Sequence, residues 1–176
     1  MTFKANMVKC AVSGVLGWGL GLGMMMPAQA VEAGQPAPAF VLPQQSGGSL
    51  SLADLKGKLV YLDFWASWCG PCRQSFPWMN ELQAKYGARG LKVVGINVDS
   101  RRADADAFLS QLPAQFAVVF DGKGEAPGAY KIKGMPSSYL IAPDGHVIKV
   151  HAGFRAEDRK ELEAAIEAAL QSGRGQ

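Results

Sequence analysis

Apolar positions along the chain fall into a few clear patterns. Residues 59–66 are an almost continuous apolar run interrupted by one charge, Asp63, and residues 91–98 form a second run. Runs of this kind read as strands buried on both faces. Between them residues 69–86 have the length of a helix. Pro71 stands in its first turn, where proline is tolerated, and Gly87 is a natural stop. Pro77 lies inside it and predicts a kink. Residues 101–112 read as a second helix with Ala103, Ala107 and Phe108 on one face. Residues 117–120 are a third strand, and 124–130 a short helix or loop. Residues 138–142 and 146–150 flank Pro143-Asp144-Gly145, a hairpin turn signal. Residues 157–170 close the chain as an amphipathic helix, with Leu162, Ala165, Ile166, Ala169 and Leu170 spaced along one stripe. Near the start, residues 39–42 and 49–52 flank a turn at 44–48 and predict a hairpin.

The predicted order is a hairpin, then βαβαβ, then ββα. Strands joined through helices imply a parallel section, and the late hairpin adds antiparallel strands. The expected class is α/β, a mixed central sheet with helices on both faces and an N-terminal β-hairpin extension. Residues 1–30 read as a signal peptide. Lys4 and Lys9 form its positive end, an uncharged stretch follows from Cys10, and Ala28-Gln29-Ala30 is a small-x-small cleavage site. An uncleaved anchor is the alternative, because about 20 apolar residues can span a bilayer. Residues 31–38 form an extended lead-in, and 39–172 the main domain.

Charge excludes one class of partner. Without Lys4 and Lys9, 16 basic residues stand against 15 acidic ones. That balance gives no footprint for nucleic acid. Arg101-Arg102 and Lys131-Ile132-Lys133 are short, separated basic clusters of the kind found on solvated surfaces. Loss of the leader also removes Cys10 and leaves two cysteines, Cys69 and Cys72. In an exported chain these two can pair only with each other within the chain.

Trp68-Cys69-Gly70-Pro71-Cys72 follows a buried strand and opens a helix. A helix N-terminus carries free N–H groups and about half a positive charge, which stabilises a thiolate. Cys69 at the start is therefore the expected attacking sulfur. Cys72, one turn in, is the expected resolving one. A merely stabilising bridge is a poor explanation, because the gain grows with loop length and this loop holds two residues. A zinc site with His146 and His151 is another poor fit. Their separation from Cys72 is far too long, and residues five apart on a strand face opposite sides. No metal and no cofactor is called for.

The segment Asp63-Phe64-Trp65-Ala66-Ser67-Trp68-Cys69-Gly70-Pro71-Cys72 resembles the active-site segment of thioredoxin, and Lys133-Gly134-Met135-Pro136-Ser137-Ser138-Tyr139-Leu140-Ile141 resembles its second signature. The lead-in from Pro38, with Ser51-Leu52-Ala53-Asp54-Leu55-Lys56-Gly57-Lys58, is similar to the exported TlpA/ResA-like branch. This resemblance implies a thioredoxin fold and a cis Met135–Pro136 bond opposite Cys69. It further implies a substrate groove formed by Trp68, Gly70, Pro71, Met135 and Pro136, with the Met135 backbone open to an extended substrate segment. It also implies that Asp63 moves a proton at Cys72. A carboxylate in so apolar a strand should have its pKa raised. The pattern departs from its relatives at Ser75, where many carry Glu, at Gly95, where thioredoxin carries Lys, and at Asp63 itself, where many members carry Asn.

Gly70-Pro71 brings no charge to tune Cys69, so the expected direction is that of a reductant. The resemblance implies a periplasmic protein that is recharged by a membrane electron donor of the DsbD or CcdA kind. Its expected partners are exported proteins bearing disulfides, as in cytochrome c or copper-site maturation, and the expected state is a monomer. Two rival functions use the same cysteines. A thiol peroxidase would want Thr or Ser where Ala66 stands. A copper-binding module would hold Cu(I) on the two thiolates.

Overall fold

The computed structural model describes residues 1–2 and 30–173. The expected leader, with Cys10 and most of its cleavage site, therefore lies outside the described residues. Among the described residues no helix is long and apolar enough to cross a membrane.

A five-stranded mixed sheet forms the centre. Its strands are β3 (Leu59–Trp65), β4 (Leu91–Asn97), β5 (Ala117–Phe120), β6 (Ser137–Ile141) and β7 (Val147–Ala152), in the order β5-β4-β3-β6-β7. β3 runs parallel to β4, and β4 to β5, while β6 is antiparallel to β3 and β7 to β6. The two apolar runs thus become the central parallel pair, and every residue of β3 is buried. The turn at residues 143–145 joins β6 to β7, with Gly145 in the left-handed region at φ 94°. A separate two-stranded sheet, β1 (Val41–Pro43) and β2 (Ser49–Ser51), is the N-terminal hairpin. It docks at the β5 edge, where Gln45 N–H donates to Val118 O at 2.9 Å.

One face of the sheet carries α1 (Gly70–Tyr86), α2 (Arg102–Gln111) and α4 (Asp158–Ser172), packed on Tyr61, Trp65, Val93 and Leu140. The other carries α3 (Glu125–Tyr130) and the hairpin, packed on Val60, Leu62, Phe64 and Val94. α1 continues through Pro77, which supplies no N–H to the turn before it. Rings of Trp65, Phe76 and Phe108 lie with centroids 4.8–4.9 Å apart and lock β3, α1 and α2 together.

Two details differ from expectation. The buried face of α2 is Ala105, Phe108 and Leu109, and Ala103 and Ala107 are exposed. Alanines carry little weight in an apolar stripe, so the two large residues set the phase of the helix. The lead-in is also more than an extended approach. Gly34 N–H donates to Val147 O and Val147 N–H donates to Gln35 O, both at 2.8 Å, so the lead-in pairs with the first residues of β7.

Candidate active site

The sheet delivers the cysteine pair at the C-terminal end of β3, where the chain turns into α1. Cys69 is the N-cap of that helix, with extended backbone at φ −86° and ψ 106°. Its Sγ accepts the Cys72 N–H at 3.2 Å, so the sulfur occupies the place of a capping oxygen. Gly70 and Pro71 begin the helix and are exposed. Cys69 and Cys72 are joined by a disulfide with Cα atoms 5.3 Å apart. Cys69 is 5% exposed and Cys72 fully buried, so the outer sulfur of the pair is that of Cys69.

Around the pair the expected groove residues take distinct positions. Trp68 is 70% exposed beside Cys69, a large apolar ring standing in solvent. The Met135–Pro136 bond is cis. Phe64 pairs with Ser137, which sets the residues before Ser137 alongside the end of β3 that leads to Cys69. Pro136 is buried, and Met135 is half-buried against the cluster that contains Cys69. Neither the N–H nor the C=O of Met135 makes a backbone hydrogen bond among the described residues. An extended peptide could pair there by strand addition.

Asp63 sits in the middle of β3, 1% exposed, on the face that carries Tyr61, Trp65 and α1 with Cys72. Its Oδ1 accepts the Ser138 hydroxyl at 2.7 Å, and its Oδ2 has no hydrogen-bond partner. Burial raises its pKa from 3.8 to about 7, against a smaller lowering by Ser138. Gly95 is its direct neighbour on β4. A Cβ there would meet Trp65 Nε1 at 3.0 Å and Phe116 Cε2 at 3.1 Å. The indole and the phenyl ring thus fill the space a lysine would need, which is why no cation offsets the burial of Asp63.

Several polar residues of this region were not anticipated. Ser138 is the cross-strand partner of Asp63. Asp99, just past β4, accepts Ser67 N–H and Ser67 Oγ–H at 2.9 Å each and Asn97 Nδ2–H at 2.7 Å. That carboxylate ties down the loop that leads into Trp68 and Cys69. The available signal was position, since polar residues at the carboxyl ends of parallel strands tend to gather at the site. His146 lies against Asp144, and His151 against Asp158. Among the described residues no three metal-ligating side chains gather.

A family model described as Redoxin matches residues 32–166. The thiol-disulfide oxidoreductase ResA of Bacillus cereus is 35% identical over 150 residues, covering 85% of this chain and 87% of that protein. ResA of Bacillus subtilis is 35% identical over 129 residues, covering 73% and 72%. A solved structure from Chlorobium tepidum, assigned as a thiol:disulfide interchange protein DsbE, matches with a TM-score of 0.78 at 54% identity. It covers 80% of this chain and 99% of that one.

Proposed function

The chain belongs to the redoxin family and is a thiol–disulfide oxidoreductase of thioredoxin-like fold, and on that premise we propose that it reduces protein disulfides outside the cytosol. In this reading residues 1–30 export the chain to the periplasm, residues 31–38 are the lead-in, and 39–172 form the catalytic domain. The single observation that carries the direction of flow is the cap of α1. Cys69 Sγ rests on the N-terminus of a 17-residue helix that has no acidic residue in its first turn. The nearby Arg73 is engaged with Gln111 and the Phe108 ring. Gly70 and Pro71 add no charge beside Cys69, so the helix N-terminus supports its thiolate without the dipeptide charge that makes a strong oxidant.

The exchange runs in two steps. The Cys69 thiolate attacks a substrate disulfide, that bond breaks, and one substrate sulfur leaves as a thiolate. Trp68, Gly70, Pro71, Met135 and Pro136 hold the substrate segment while the mixed disulfide stands. Cys72 then gives its proton to the Asp63 carboxylate and attacks Cys69 Sγ. The second substrate sulfur leaves, and the Cys69–Cys72 disulfide remains. Two electrons have passed to the substrate, and a membrane donor of the DsbD or CcdA kind returns them. Suitable substrates are exported proteins whose cysteines must stay reduced, such as those of cytochrome c haem sites or copper sites.

The reduction potential tests this directly. Equilibration against a thiol redox buffer should give a value closer to thioredoxin, about −270 mV, than to the strong periplasmic oxidant, about −120 mV. A value above about −160 mV reverses the proposed flow. Cys72→Ser should accumulate mixed disulfides with exported proteins, and Cys69→Ser should not.

A further inference from the structure

Asp63, Ser138 and His151 are direct cross-strand neighbours on β3, β6 and β7. Side chains opposed in this way share a face, with Cβ atoms about 4.5–5.5 Å apart. The three therefore form one row across the sheet, under α1 and α4. Ser138 donates its proton to Asp63 Oδ1, so its oxygen still has room to accept. Each end of the row holds a buried atom without a hydrogen-bond partner, Asp63 Oδ2 and His151 Nε2. Buried polar atoms are nearly always satisfied, so the open Asp63 Oδ2 calls for an explanation, while His151 Nε2 at the other end faces the Asp158 carboxylate at 3.3 Å.

A cavity of about 10 Å³ lies beside the row, lined by Tyr61, Ser138, Lys149 and His151 together with the apolar Leu162 and Ile166. That is near the least volume that takes one water, and Tyr61, Ser138, Lys149 and His151 are the lining residues that carry polar groups. Beyond it, His151 Nε2 stands 3.3 Å from Asp158 Oδ2, and both side chains are partly open to solvent. We propose that this row is the route by which Asp63 exchanges its proton with solvent, through the Ser138 hydroxyl and a water in the cavity to the His151 imidazole and out past Asp158.

The other titratable groups that face the row are buried or paired. Tyr61 on β3 is held protonated by burial. Lys149 on β7 is paired with Glu161 of α4 at 2.6 Å. Asp158 at the start of α4 is held by Arg155, whose N–H donates to Oδ2 and whose Nη2 lies 3.5 Å from Oδ1. On α1, Glu81 pairs with Arg159 and Lys85 with Glu163 of α4, and Cys72 is the titratable group on the Asp63 side. An imidazole can take a proton at one nitrogen and release one at the other. Each turnover then moves one proton from Cys72 to Asp63, and one leaves at His151. No electron travels along the row.

The inference rests on the reading of Asp63 as the base for Cys72, and His151 acts through Asp63. The test uses the full chain reducing insulin disulfides, with a small dithiol as electron donor, from about pH 6 to about pH 8, in buffers with and without imidazole. His151→Ala should slow turnover about tenfold near neutral pH in a bulky buffer, part of the range for assisted proton transfer. Imidazole should restore most of that loss and leave the parent protein unaffected. His151→Gln guards against misfolding and should show the same loss. A His151→Ala protein with the parent rate and pH profile in every buffer overturns the route, and so does a loss that imidazole does not repair. Asp63→Asn separates the two levels. If it slows turnover while the histidine variants do not, the route alone falls. If it runs at the parent rate, the base and the route fall together.

Discussion

Asp63 lies within β3 and Asp99 just past the end of the neighbouring β4, and both are almost wholly buried. Their surroundings differ in one respect. Asp99 receives three donors, from the Ser67 backbone, the Ser67 hydroxyl and the Asn97 amide. Asp63 receives one, from Ser138, and its Oδ2 has no hydrogen-bond partner. A carboxylate surrounded by donors is satisfied as an anion and acts as a clamp, here on the loop that presents Cys69. A carboxylate left half-satisfied in an apolar site holds its proton more tightly, and a pKa of about 7 makes it fit to exchange one near neutral pH. The same residue type therefore serves architecture past the end of one strand and chemistry within its neighbour.

The largest effect should come from the clamp. Asp99→Ala leaves the half-buried Ser67 N–H and the buried Asn97 amide without an acceptor, each costing up to about 1–3 kcal/mol. Stability should fall by about 3 kcal/mol or more, read as a lower urea midpoint. A loss under about 1 kcal/mol would mean that the loop holds itself and that Asp99 is no clamp.

Asp63→Asn should act with the opposite sign. The folded pKa of about 7 lies above the ordinary 3.8, so between those values the folded protein binds more protons than the unfolded one. Stability is then lost as pH rises through that window, by roughly 4 kcal/mol once both states are ionised. Asparagine removes the ionisation but keeps a buried amide with an unmet donor. The net gain should be about 2 kcal/mol at pH 8 and near zero at about pH 5. Turnover should fall about tenfold or more near neutral pH. Parallel stability curves for the two proteins across this range would put Asp63 in the same class as Asp99.

What could be read from the residues follows the same division. The central strands were legible because burial on both faces leaves a continuous apolar run, and Asp63 because it is a charge inside one. The cysteine pair was legible because its chemistry depends on local position at a helix start. Ser138, Asp99 and His151 were not, because their partners come from register. Ser138 meets Asp63 across 75 positions and Ser67 meets Asp99 across 32. No local pattern encodes such pairings. The pairing of the lead-in with β7 was hidden for a related reason, since it is made by backbone groups that every sequence carries.

The smallest effect should come from Ser138→Ala, and its neighbour provides the control. Ser137 and Ser138 are adjacent on β6 and point to opposite faces. Ser137 donates to Gly134 O at 2.8 Å, and Ser138 to Asp63 Oδ1 at 2.7 Å. Either alanine variant loses one hydrogen bond, worth about 1 kcal/mol. The Ser137 bond has a neutral acceptor, so the loss on Ser137→Ala should not vary with pH. The Ser138 bond stabilises the ionised form of Asp63 more than the neutral one, because hydrogen bonds to charged groups are about twice as strong. Its removal should therefore push the Asp63 pKa above about 7. The loss of stability should be greater at about pH 8 than at about pH 5. Disulfide reduction should also rise to its plateau at higher pH, with the shortfall largest near neutral. Denaturant midpoints and turnover across that range, measured for both serine variants, check each part. If the two variants show the same pH dependence, Ser138 only packs the sheet, and the contrast between Asp63 and Asp99 rests on burial alone.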